Sequence, residues 1–487
     1  MSTVRGLPAA PLRWRGTPDL PDWAWYGILV ALAVGMGVIA GINPKYAIAG
    51  AFGLTFVMMV LVVLTFGLCA FTFLSFLELL LVSEDRSFSF LKVAGFLLLL
   101  SWVATISTSR EQDKSFIAAH PQFTFVLIAF FSWAAISSYW AEDPGRAYDT
   151  SWRYLQNMIL FLIVYTAIRQ REHVKWLGWS WLGGATFATI PAILNPPQAE
   201  ADLTTRISGT IGDPNELAAL LVAGTAFAVA LSVASKKNPV ARLAAIAAAM
   251  LFLFGIFYTV SRGGLVALAV AIVAACLMSG RYRFQATVVG VATALFVVVY
   301  FASIAGVDQR DRVTTIEGGS GRSDIWTVGW RMVEDKPVIG VGSGNFSVSS
   351  IHYLLVQPGA IERDEFIVDT PKVAHNSYLQ VLAELGMIGL AMFLWIIGFA
   401  IWCALKAAHW FSRAGDSEME IVARAMVVAL VGILAADFFI TEQYGKQLWL
   451  LLGLGPALLG VARRTYPEAK EEPKQAARKL RAVPRAV

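Results

Sequence analysis

Four side chains in this sequence have the types and settings needed to act on an anionic, oxygen-rich group: His375, Arg206, Arg262 and Arg322. His375 stands in VAHNSYLQVLAELGMIG, Val373 to Gly389, directly before an apolar run. Ser377 and Gln380 fit an S-x-x-Q capping box, which starts a helix at Ser377 and leaves His375 and Asn376 just outside its N-terminus. The positive end of a helix dipole disfavours an imidazolium, so the ring is expected to be neutral and able to accept a proton as a general base. The same helix end, with unsatisfied N–H groups, welcomes a phosphate. A histidine that only hydrogen-bonds at a helix start is the competing reading for an isolated residue.

The company of His375 is basic. Arg206 lies in LTTRISGTIGDPN, and Arg262 lies in TVSRGGLVAL, a short turn between two apolar runs. Arg322, in GGSGRSDIW, opens an amphipathic segment near 320–335 that carries Ile325, Trp326, Val328, Trp330, Met332 and Val333 and could lie on a membrane. Guanidinium pairs with phosphate oxygens in bidentate geometry, so three arginines in basic-poor segments suit a pyrophosphate. Each taken alone could equally hold a lipid headgroup or a nearby carboxylate.

The elements that must position these residues are membrane helices. The 487 residues are 57% apolar and 15% charged, with a mean hydropathy of +0.62, which is the composition of an all-α polytopic membrane protein. Cys69, Cys276 and Cys403 each fall in an apolar run and are far apart, so no disulfide framework or CxxC metal site is available. The net charge of +5 reflects basic flanks such as the tail after Val461, and no interleaving of basic and aromatic residues points to nucleic acid.

Crossing a hydrocarbon core takes roughly 20 apolar residues. By that measure residues 23–305 hold eleven spans and residues 376–462 three more, flanked by a cytoplasmic segment 1–22 and a basic cytoplasmic tail 463–487. Tyr46 to Val82 would be about 55 Å long as one helix, so it is read as two. Basic residues then alternate between loops: Arg110 and Lys114, Arg169 and Arg171, Lys236 and Lys237, and Arg281 and Arg283 fall on the cytoplasmic side. Residues 306–375 become one long external loop, and His375 faces outward at its end. Glu78, Glu216, Glu384 and Asp437 also fall toward external helix ends, from which a polar cavity opening outward is inferred, with interfacial groups that reach water as the competing reading. His352 is the other external histidine.

Two weaker patterns carry no site. The run from Gly340 to Asn345 has no βαβ context and reads as a tight turn. Glu362, Asp364, Glu365 and Asp369 lack EF-hand spacing, and no D-x-D pair is present, so no metal or other cofactor is expected. Gly386 and Gly389 would let a neighbouring helix approach closely.

With these residues assembled, the sequence resembles the O-antigen ligase and polymerase superfamily of bacterial envelope glycosyltransferases. The resemblance rests on His375 and Asn376, nine residues, Gly386, two residues and Gly389; on RISGTIGDPNELAALL with Arg206 and Asn215; on SRGG with Arg262; and on GRSDIW followed by DKPVIGVGSGNF from Arg322 to Phe346. It covers roughly residues 200 to 460. The resemblance implies a GT-C-like fold, the multispan class of lipid-donor glycosyltransferases, here with about 12–14 transmembrane helices. It implies a bacterial inner-membrane enzyme whose donor is a glycan on undecaprenyl pyrophosphate in the outer leaflet of the lipid bilayer. Arg206 and Arg262 would hold the pyrophosphate and His375 would activate the acceptor hydroxyl, with Arg322, Asn215, Asn376, Gly386 and Gly389 lining the substrate. Transfer would invert the anomeric configuration without a metal. A lipid, glycan or protein acceptor would make the enzyme a ligase, a polymerase or an oligosaccharyltransferase. A transporter or flippase of lipid-linked sugar is the alternative function, although such proteins bind near the midplane. A structural scaffold would need neither the histidine nor the arginines.

Overall fold

The structure is a computed structural model that describes residues 44–81, 89–108, 116–194, 206–306, 310, 322–355 and 372–467. The expected first span at 23–41, the cluster Glu362 to Asp369 and the end of the basic tail lie outside the described residues. The main helices are α1 (Pro44–Val62), α2 (Leu64–Leu74), α3 (Phe90–Thr108), α4 (Pro121–Ile136), α5 (Pro144–Ala167), α6 (Arg171–Leu194), α7 (Pro214–Ala234), α8 (Pro239–Tyr258), α9 (Arg262–Met278), α10 (Arg283–Val299), α11 (Arg322–Asp335), α12 (Phe346–Leu355), α13 (Ser377–Arg413), α14 (Ser417–Ala436) and α15 (Lys446–Thr465). Among the described residues there is no β-strand.

Local sequence starts these helices. Asp143, Asp213 and Asn238 each precede a proline and cap α5, α7 and α8 with a side-chain oxygen, which satisfies a free N–H while the proline takes the first helical position. Asp416 caps α14 by accepting Met419 N, with Ser417 in place of a proline. The long run from Tyr46 does divide, at Val63, whose extended backbone (φ −121°, ψ 92°) separates α1 from α2.

Eight helices among the described residues are long and apolar enough to cross a membrane, and three further apolar helices are shorter. The protein is therefore an all-α polytopic membrane protein. Burial divides the spans by role: 72% of the apolar stretch of α7 and 67% of that of α14 is buried, against 11% for the helix built around α10. Helices α7 and α14 pack on each other at the centre, α9 and α13 flank α14, and α15 fills the space between α13 and α5. The outer faces of α3 and α10 carry exposed apolar residues such as Phe96, Val291 and Leu295, as lipid contact requires.

Helix α13 is broken at Gly386 (φ 68°, ψ −172°). The strand-like segment after α11 lies along the break, with Val341 N donating to Ala383 O, Gly342 N to Glu384 O and Met387 N to Pro337 O, at 2.8 to 2.9 Å. A Cβ on Gly386 would lie 2.0 Å from the Val338 carbonyl oxygen. The close neighbour expected of this glycine is thus a loop backbone and not a helix, and the Gly389 side faces Leu385 of its own helix. Gly340 to Asn345 forms the expected tight turn. Glu384, fully buried, accepts Gly344 N at 2.8 Å and Phe346 N at 3.3 Å, so it fastens that turn and does not line an outward cavity.

Helix α11 is amphipathic as its spacing predicts, but its apolar face does not lie on a membrane. Ile325, Val328 and Met332 are buried against Val341, Phe346, Ala374 and Ala383, which clamps α11 onto the start of α13.

Candidate active site

Three separated stretches meet through one amide. Arg206 donates from Nη2 to Asn215 Oδ1 at 3.0 Å and from Nε to Thr259 O at 2.9 Å. Ser261 donates its hydroxyl to the same Asn215 oxygen at 2.8 Å and accepts Gly264 N at 3.0 Å, which makes it the cap of α9. Arg262 is the first residue of that helix and is exposed. Arg206, Asn215 and Arg262 therefore form one array, in which Asn215 holds its neighbours and does not itself reach outward through that oxygen.

The His375 helix is tied to the same place through a shared turn. Gly263 packs so closely against Phe439 that a Cβ added there would lie 2.9 Å from the Phe439 Cβ. Ser377 N donates to Asp437 O at 2.8 Å, Ser377 Oγ to Ile440 O at 3.0 Å, and Glu442 N to Ser377 Oγ at 2.8 Å. The turn from Asp437 to Glu442 thus grips the N-termini of both α9 and α13. Ser377 is occupied by this grip, so the cap of α13 is one residue earlier: Asn376 Oδ1 accepts Tyr378 N and Leu379 N, each at 3.0 Å. Gln380, expected to complete a capping box, instead accepts Ala374 N at 2.8 Å.

His375 is held from both sides. Ala374 O accepts the indole N–H of Trp326 at 3.0 Å, and Asn376 is fixed as the cap. Between them the His375 backbone has φ 47°, a left-handed conformation that costs a non-glycine residue about 1–3 kcal/mol. Val260, just before the α9 cap, has φ 47° as well, and these are the two non-glycine residues with positive φ among those described. Strain of this kind collects where surrounding contacts dictate a functional geometry.

The surroundings of His375 favour its neutral form. Burial pushes the His375 imidazole below the ordinary histidine value; the charges of Arg322 and Lys372 add to this, while that of Asp213 opposes it. The neutral state expected from the helix end is thus favoured first by desolvation. The ring is half-buried, and among the described residues no side chain hydrogen-bonds it. Arg322, at the start of α11, and Asp213, the cap of α7, are near enough to act on its charge, which brings all four sequence-identified groups to one end of the bundle.

Carboxylates lie behind this array. Glu78 accepts Lys446 Nζ at 2.6 Å, and Glu216, Asp437 and Glu442 act on one another's charge around the shared turn. Burial pushes the Glu442 carboxyl up. Glu78, Glu216 and Asp437 do converge, and Glu384 does not join them. His352 is also elsewhere, paired with Glu142 at 2.8 Å. Among the described residues no group of three or more His, Cys, Asp or Glu is arranged to hold a metal ion. Sequence spacing missed the contacts of Ser261, Thr259, Trp326 and the 437–442 turn, because each joins residues far apart in the chain.

The O-antigen ligase family model matches residues 246–394, which include Arg262, Arg322 and His375 and exclude Arg206 and Asn215. No curated protein matches the chain in sequence. Among solved structures, a chain from "Structural coordination of polymerization and crosslinking by a peptidoglycan synthase complex" shares 15% identity with a TM-score of 0.40, covering 71% of this chain and 98% of that one. Through residues 246–394 the chain is similar to the O-antigen ligase family.

Proposed function

We propose that this protein transfers a glycan from undecaprenyl pyrophosphate to an acceptor hydroxyl at the outer face of the bacterial cytoplasmic membrane. The similarity of residues 246–394 to the O-antigen ligase family supports membrane glycan transfer of that kind; the residue roles are our reading. The observation that carries them is the shared turn from Asp437 to Glu442, which fixes the helix start bearing Arg262 beside the helix start that follows His375.

In this reading the pyrophosphate lies against Arg262 and Arg206, with N–H groups at the start of α9 adding to the field. Neutral His375 takes the proton of the acceptor hydroxyl as its oxygen attacks the anomeric carbon from the face opposite the pyrophosphate. The bond from that carbon to the pyrophosphate oxygen breaks, its electrons stay with the leaving group, and the two arginines stabilise the added charge. The configuration at the anomeric carbon inverts. Arg322 repels a proton from His375 before the acceptor arrives and can meet the substrate at the start of α11.

The orientation rests on charge. At the end of the bundle away from His375, Arg171 pairs with Asp416 at 3.1 Å, Lys175 with Glu418 at 3.2 Å and Arg281 with Glu420 at 2.8 Å. Those basic loops belong in the cytoplasm together with both termini. Because the cationic charge comes from arginine, turnover should survive EDTA; a requirement restored by added divalent metal would contradict this. The reading as a whole is tested by incubating purified protein with undecaprenyl-pyrophosphate-linked oligosaccharide and candidate acceptors, and following both released carrier and glycan product.

A further inference from the structure

The face of α11 that turns away from the core borders an open cavity. Trp330, Arg331, Glu334 and Asp335 follow one another at helical spacing and, with His352 and Tyr353 of α12, line a cavity of about 680 Å³. That volume falls in the range of small-molecule sites, about 300–1,000 Å³. Its walls are fixed before any ligand arrives: Arg331 Nη1 donates to Tyr353 O at 2.9 Å, the Tyr353 hydroxyl donates to Asp335 Oδ2 at 2.7 Å, and His352 is held by Glu142. Trp330 stays 54% exposed on a helix whose other face is packed, and Glu334 is exposed beside it.

We infer that this cavity binds a pyranose ring of the glycan, at a position other than the ring that reacts. A pyranose has an apolar C–H face and a rim of hydroxyl groups. The indole face of Trp330 suits the first, and the carboxylates of Glu334 and Asp335, as acceptors, suit the second. Arg331 supplies the complementary donor. Two adjacent carboxylates make the same cavity a poor receptor for phosphate or for an anionic headgroup, which separates it from the arginine array near His375.

Position gives the site its use. Trp326, one turn before Trp330, holds Ala374 beside His375, so α11 is a rod that starts at the reacting centre and carries the cavity about 12–18 Å further along. A chain whose terminal sugar meets His375 can lay a later sugar on Trp330. This inference rests on the glycan-transfer reading for the identity of its ligand, and donor and acceptor chains offer the same ring chemistry.

The test uses the full-length protein in detergent and, as probe, the reducing oligosaccharide released by mild acid from the lipid-linked donor. Saturation-transfer NMR should show its ring protons in contact with the wild type and with His375→Ala. Trp330→Ala should weaken binding at least about tenfold, and Trp330→Phe should restore most of it. Glu334→Gln should weaken binding while leaving the thermal midpoint unchanged. In turnover, a raised KM for the acceptor glycan alone would place an acceptor sugar here, and a raised KM for the donor alone a donor sugar. Binding to Trp330→Ala as tight as to wild type would overturn the inference. So would the absence of oligosaccharide binding by a wild-type protein that turns over normally. Trp330-dependent binding without any turnover would instead refute the transfer reading and leave the sugar site standing.

Discussion

The Ser261 hydroxyl reaches Asn215 Oδ1 at 2.8 Å, joining the cap of one helix to the first turn of another. Arg206 uses the same oxygen at 3.0 Å. Asn215→Ala removes one acceptor and strands two donors, a loss of about 1–3 kcal/mol of local organisation. If that local loss is felt in full at the transition state, transfer falls about 5- to 150-fold, since each 1.4 kcal/mol is a factor of ten. Asn215→Asp, which keeps the acceptor, should retain more activity than Asn215→Ala. Equal activity of Asn215→Ala and wild type in steady-state turnover would show that the array needs no such tie.

Arg262 is exposed at the head of α9, where a planar, forked donor can meet two phosphate oxygens at once. Arg262→Lys keeps the charge and loses the fork, and turnover should drop at least about tenfold. Unchanged kcat and KM for the lipid-linked donor would reduce Arg262 to a simple charge.

The pH profile has a defined sign. His375 is pushed below the ordinary histidine value, about 6.5, chiefly by burial. A base works when unprotonated, so the acid limb of kcat/KM should lie below about 6.5 and disappear with the residual rate of His375→Ala. Between its folded and unfolded values the unfolded chain holds more protons, so this group's stabilising contribution is present at neutral pH and is lost as pH falls through the folded value. An acid limb above about 6.5 would assign the limb to another group.

Gly386 permits the break in α13, and a Cβ there would strike the Val338 carbonyl. Gly386→Ala should cost at least about 1–3 kcal/mol and lower the thermal midpoint in detergent. Gly398→Ala in the same helix meets nothing within 4 Å and should be neutral or stabilising. Equal midpoints for the two variants would contradict the account of the break.

What the sequence made legible was what has a period or a fixed local signature. Apolar runs marked the helices, including the division of the long run from Tyr46 into two. The arginines and His375 were found by their scarcity on one side of the charge pattern. Less was readable where distant segments compete for one side chain. Ser377 has the type of a cap, yet the carbonyl of Ile440 claims its hydroxyl and Asn376 caps instead. Helix α11 has the pattern of a membrane-surface helix, yet Val341, Phe346 and Ala374 bury that face. Glu384 was grouped with the other acidic residues by its place in a span, but the N–H groups of Gly344 and Phe346 take its carboxylate.

The central claim is that His375, held in a left-handed backbone between Trp326-bound Ala374 and the Asn376 cap, is the base for glycan transfer. The most direct measurement is single-turnover release of undecaprenyl pyrophosphate from lipid-linked oligosaccharide by wild type and by His375→Ala, with folding checked by thermal midpoint. The account predicts release by wild type and at least about a hundredfold slower release by a folded variant. Release by folded His375→Ala at the wild-type rate would contradict it.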